Sequence, residues 1–148
     1  GDERGNRRDG IAESAALIGI DTNVLVRYFA QDDLQQSRAA TRFVERGLRV
    51  DQPGHVSLIA LAELVWVLCT RYAATPIEID AAVTQLLSDQ RFVVQDSRAA
   101  WSAIDAVRED GVDMADALIT AVDRLHGCTH TVTFDAKTTR IAGMTMLR

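Results

Sequence analysis

Four acidic residues stand where an apolar run ends or where a polar side chain is out of place: Asp21, Glu63, Asp116 and Asp135. Asp21 directly follows Leu17-Ile18-Gly19-Ile20, and Asp135 directly follows His130 to Phe134. In open parallel sheets, ligand sites form just beyond the carboxyl ends of the strands. An aspartate there can equally cap the next helix, and both readings stand for these two. Asp96, which follows Phe92-Val93-Val94, is read as a cap alone. Glu63 lies inside Leu58 to Leu68, a segment apolar or small on every face, with Ile59, Ala60, Trp66 and Val67 as its helical neighbours. The expectation is a buried carboxylate, which needs a cation, a donor network or a raised pKa. No basic residue lies between Glu63 and Arg71, so a metal ion is the economical partner. Asp113 and Asp116 are spaced like a capping box, and the helix amino end also favours ionised acids ready to bind a cation.

Carboxylates brought together repel unless a divalent cation neutralises them. An all-oxygen set selects Mg²⁺ or Mn²⁺ over zinc. His55, His126 and His130 stand at the ends of elements and are weak competitors as ligands. Such a cluster activates water, and two ions roughly 3.5–4 Å apart clamp the attacking and leaving oxygens of a phosphodiester displacement. The chemistry this predicts is hydrolysis of nucleic acid.

The elements that must position these acids alternate between strand-length apolar runs and longer helical periods, the pattern of an α/β fold with helices on the faces of a parallel sheet. Strands are expected at 17–20, 55–56, 92–94 and 130–134, with a short edge strand within 141–147. Helices are expected from Val24 to about Ala30, from the Asp33 cap to Leu48, and from the Ser57 cap to about Arg71. Further helices run from Thr75-Pro76 to Ser88, from Asp96 or Ser97 to Gly111, and from Asp113 to His126. Arg38, Arg42, Arg46 and Arg49 share one face of the second helix and are read as a solvated stripe. Trp66 and Trp101 are read as core.

The 148 residues, 47% hydrophobic and 25% charged, are those of one globular domain. A chain this long can build a core without crosslinks, so a bound metal would be functional rather than structural. Cys69 and Cys128, far apart and in no CxxC spacing, are expected as buried thiols in a reducing compartment. No run approaches the ~18 apolar residues of a membrane span, and a cytoplasmic location is expected. Residues 1–14, mixed in charge and without periodicity, are expected as a disordered leader or expression remnant, with one domain over 15–148. The net charge of −5 argues against bulk attraction for nucleic acid, an objection that weakens if acids converge on cations.

In order along the chain, Ile20-Asp21-Thr22-Asn23-Val24-Leu25-Val26, Ala62-Glu63-Leu64, Asp113-Met114-Ala115-Asp116-Ala117-Leu118-Ile119 and Thr133-Phe134-Asp135 resemble the PIN-domain ribonucleases, and more narrowly the VapC toxins of toxin–antitoxin pairs. The likeness covers residues 17–148. It implies a three-layer α/β/α PIN-like sandwich with a short central parallel sheet of four or five strands. It further implies Asp21, Glu63, Asp116 and Asp135 as the catalytic, metal-holding acids, with one or two Mg²⁺ or Mn²⁺ ions. Asn23 and Thr133 match supporting polar positions, and Asp113 matches an extra acid that is a ligand, a support for one, or only the cap. The implied activity is endonucleolytic cleavage of RNA, with a VapB-type antitoxin and a homodimer as partners. Arg27 and Arg71, near the expected rim, are the candidate substrate contacts. The alternative is a catalytically silent PIN-like binding module acting through a protein partner. A haloacid-type phosphatase needs an acid where Asn23 stands, and a receiver domain needs an acidic pair that is absent.

Overall fold

Helix starts are set by side chains that accept hydrogen bonds from otherwise orphaned backbone amides. In the computed structural model, which describes residues 16–148, Asp21 caps α1 (Thr22–Ala30) and Asp33 caps α2 (Leu34–Arg42). Ser57 caps α3 (Leu58–Arg71), and Thr75 with Glu78 forms a capping box, with Pro76 at the first position, on α4 (Pro76–Ser88). Asp113 caps α6 (Met114–Leu125). Before it, α5 (Ser97–Asp110) stops at Gly111, whose φ of 65° is the left-handed conformation glycine adopts freely. Asp96 occupies the capping position of α5 with φ 46° and makes no side-chain capping bond there. The expected leader, residues 1–14, lies outside the described residues.

Three short strands, β1 (Ile18–Gly19), β2 (Gly54–Val56) and β3 (Phe92–Val94), form a parallel sheet in that order, with Gly19 opposite His55 and His55 opposite Val93. β4 (Thr131–Thr133) and β5 (Met144–Met146) pair in parallel as a separate ribbon, Thr131 opposite Met144. The five parallel strands are thus hydrogen-bonded as three and two. β1 contributes only two ladder residues, and the Ile18 and Ile20 amides both donate toward the β2 side, to Pro53 and His55. That leaves little edge for a fourth strand. A 3₁₀ turn, Ala136–Arg140, joins the ribbon's strands.

The core is a single cluster in which Leu25 of α1, Val56 of β2, Leu61 and Leu64 of α3, Val83 and Leu86 of α4 and Ile104 of α5 are wholly buried. Among the described residues no helix is long and apolar enough to cross a membrane.

Three local expectations are corrected. The helix expected to reach Leu48 is α-helical only to Arg42 and continues as a π-helical turn, Phe43–Gly47. Gly47 permits this, since a β-carbon there would lie 3.1 Å from the Phe43 ring. Arg46 and Arg49 therefore leave the α-helical face of Arg38 and Arg42, although all four are exposed. On α3, Ala60, Leu61, Leu64, Val65 and Leu68 form one buried stripe, whereas Ile59 is 73% and Trp66 61% exposed. An apolar helix packed from one side leaves its far residues in water, so Glu63 is exposed, not buried, and Trp66 is not core. Cys69 and Cys128 are exposed too, one on α3 and one in the turn after α6.

Candidate active site

The packing of α1 on α3 brings Asp21 and Glu63 to one pocket of about 270 Å³. Asp21, Asn23 and Arg27 line it from one side, and Glu63, Arg71 and Tyr72 from the other. Glu63 and Arg71 lie two helical turns apart on the same face of α3. The Asp21 carboxylate accepts a hydrogen bond from the Thr22 amide at 2.8 Å through Oδ1. Its second oxygen has no hydrogen-bond partner among the described residues.

A second acidic group forms where α6 begins. Asp113 Oδ1 accepts from the Asp116 amide at 3.0 Å. Asp135 Oδ1 accepts from the Lys137 amide at 2.9 Å, and the Asp135 amide donates to Thr133 Oγ1 at 3.0 Å. The buried Thr138 hydroxyl donates to the Asp135 carbonyl at 2.8 Å and accepts from the Thr133 hydroxyl at 3.1 Å, which fixes the backbone on both sides of that acid. Asp116 is half-buried, and its pKa is raised above 3.8 by burial first, then by the charges of Asp113 and Asp135. The three carboxylates therefore sense one another. The Cys69 thiol on α3 is pushed up by partial shielding from water and then by Asp113, so the start of α6 adjoins the helix that carries Glu63.

Capping and metal binding are compatible here, because each cap uses one carboxylate oxygen and leaves the other. Asp32, Asp51, Asp80, Asp89 and Asp105 are each paired with an arginine. Among the described residues none of Asp21, Glu63, Asp113, Asp116 and Asp135 has such a partner. Neither, among those residues, do three histidine, cysteine, aspartate or glutamate side chains gather closely enough to hold a metal ion. The acids stand as a pair and a trio, not as one closed cluster. Their chemistry nonetheless suits a hard divalent cation: oxygen donors only, spare lone pairs, and mutual repulsion at Asp116 that a positive charge relieves.

Sequence reading did not single out Asp32, Gln36 and Tyr72, which surround the Arg27 guanidinium. Asp32 and Tyr72 are 40 residues apart, and no local periodicity links them.

The family model for the PIN domain matches residues 18–144. No match was found among curated proteins.

Proposed function

The chain belongs to the PIN-domain family, whose members are generally metal-dependent nucleases, and from that premise we propose that it is a Mg²⁺- or Mn²⁺-dependent endoribonuclease acting as the toxin of a VapBC-type pair. One observation carries the reading: among the described residues the acids at the ends of β1 and β4, on α3 and at the start of α6 have no arginine partner, and Asp116 bears the repulsion of two neighbours. Asp21 and Glu63 hold one side of the metal site and Asp116 and Asp135 the other. Asn23 and Thr133 hold the carboxylates in place, Thr133 through the Asp135 backbone. Asp113 adds negative charge beside Asp116. Arg71 and Arg27, lining the Asp21–Glu63 pocket, meet the RNA phosphates. When bound, the metal lowers the pKa of a water and neutralises charge that develops on the phosphate. A VapB-type antitoxin, a homodimer and a cytoplasmic location belong to the same reading.

A second reading, a silent PIN-like module acting through a protein partner, is favoured by the absence of any three close ligands among the described residues. Cleavage decides between them. On the nuclease reading, RNA is cut only with Mg²⁺ or Mn²⁺, and cutting stops with EDTA and in Asp116→Asn. Undiminished cutting by that variant would reject the site. No cutting by the native chain with either metal would leave the silent module standing.

A further inference from the structure

Arg27 sits in a cradle built from three chain segments. Its Nε donates to Gln36 Oε1 at 2.7 Å, and Nη1 donates to both Asp32 carboxylate oxygens at 2.9 Å and to the Tyr72 hydroxyl at 3.1 Å. Tyr72 in turn donates to Asp32 Oδ2 at 2.5 Å. Among the described residues, Arg27 Nη2 has no hydrogen-bond partner. The backbone is left-handed on both sides of it: Gln31, the C-cap of α1 just before Asp32, has φ 56°, and Ala73, just after Tyr72, has φ 50°. Left-handed backbone at residues other than glycine persists where surrounding structure enforces it, and it clusters at functional sites.

A tie between helices does not need its arginine beside the acids. Arg108 bridges α5 to Asp80 on α4 and lines no part of the Asp21–Glu63 pocket, whereas Arg27 lines it together with both acids. The whole chain is acidic, with a net charge of −5, so a polyanion is held here by placed contacts rather than by bulk attraction. A free arginine loses rotamer freedom on binding, but one already held on its Nε and Nη1 nitrogens loses little, and its Nη2 still offers two fixed N–H donors to a phosphate.

We infer that Arg27 grips a backbone phosphate of single-stranded RNA at the Asp21–Glu63 pocket through its Nη2 edge, and that Asp32, Gln36 and Tyr72 are positioning residues that fix the guanidinium for that contact. This deepens the nuclease reading and rests on it for the choice of ligand. Asp32 offsets much of the arginine's charge, so direction rather than long-range attraction does the binding. Lysine therefore cannot substitute.

The test is fluorescence anisotropy of a labelled single-stranded oligoribonucleotide with Mg²⁺, in the full chain carrying Asp116→Asn to suppress cutting, at a temperature where circular dichroism shows every variant folded. Arg27→Gln and Arg27→Lys are each expected to weaken binding about tenfold, and Tyr72→Phe about threefold. Arg38→Gln, on exposed α2, changes it less than about twofold. In the Arg27→Gln background, Tyr72→Phe adds no further loss, because the hydroxyl acts through the guanidinium. Native-like binding by Arg27→Lys, an additive loss from Tyr72→Phe, or no RNA binding by the parent overturns the inference. Metal-dependent cutting by the native chain is read separately: its absence, with Arg27-dependent binding intact, sinks the nuclease reading and leaves the phosphate contact standing.

Discussion

Asp116 shows how a single side chain opposes the fold that carries it. Burial and the charges of Asp113 and Asp135 raise its pKa, so in the folded chain its ionised form is disfavoured. The penalty is fully present above the folded pKa and disappears as pH falls below the ordinary value of 3.8. Asp116→Asn keeps the shape and removes the charge. It is expected to stabilise the metal-free protein by roughly 0.5 kcal/mol, about 1–2 °C in melting temperature at pH 7. It is also expected to lower RNA cleavage at least about a hundredfold, since even groups that merely support metal ligands cost 10–100-fold. A thermal melt without metal and a cleavage assay check the two halves. A lower melting temperature would show that Asp116 is held by stabilising partners instead. Metal makes the complementary statement. On the proposed metal site, Mn²⁺ at about ten times its Kd is expected to add roughly 1.4 kcal/mol to the stability of the native chain by mass action. The gain vanishes in Asp21→Asn, which can still accept the Thr22 amide as a cap.

At the scale of elements, β2 depends on a residue with no side chain. A β-carbon on Gly54 would lie 3.0 Å from Leu48 Cδ1 and closer still to Ile20 Cδ1. Both neighbours are buried, so neither can move freely. Gly54→Ala is expected to cost about 1–3 kcal/mol, read as a lower urea midpoint with an unchanged slope. A helix cap supplies the other prediction at this scale. Asp113→Asn retains the oxygen that accepts the Asp116 amide, so stability changes by less than about 0.5 kcal/mol, whereas Asp113→Ala loses about 1 kcal/mol. Cleavage falls about tenfold in both if the charge of Asp113 serves the site. These caps are what made the elements legible in the sequence. Ser57, Thr75-Pro76, Asp33 and Asp113 each mark a helix start that the structure reproduces, because a cap is a bond between near neighbours in the chain. What depended on distant packing was not legible. The apolar sequence of α3 hid its wet face, since burial of Leu64 and exposure of Trp66 are decided by which neighbours arrive, not by hydropathy. The Asp32–Tyr72 contact is decided in the same way.

For the whole molecule, the order of acidic motifs along an α/β pattern was enough to suggest the family, because three of the four sit at element boundaries that local chemistry fixes, while the one around Glu63 lies within α3. Whether the acid pair and the acid trio close on common ions depends on the relation between the two separate β-ladders, which no local pattern encodes. Acid brings out a second division. Asp80, Asp89 and Asp32 are held below their ordinary 3.8, chiefly by hydrogen bonds from Arg108, Arg91 and Tyr72 respectively. Their stabilising contribution is present above pH 3.8 and is lost as pH falls through their depressed folded values. Asp116 has the opposite sign, so protonating it slightly favours the fold while disarming a proposed metal ligand. The two acid limbs must therefore separate. On lowering the pH from 7, cleavage is expected to decline first, at a pH above 3.8, while the melting temperature holds. The melting temperature then falls only below about pH 4. Parallel cleavage and calorimetric profiles between pH 3 and 7 test this, with Asp80→Asn expected to flatten the lower limb and leave the upper one in place. Activity and stability that fall together would mean that Asp116 is not the acid whose ionisation the reaction needs.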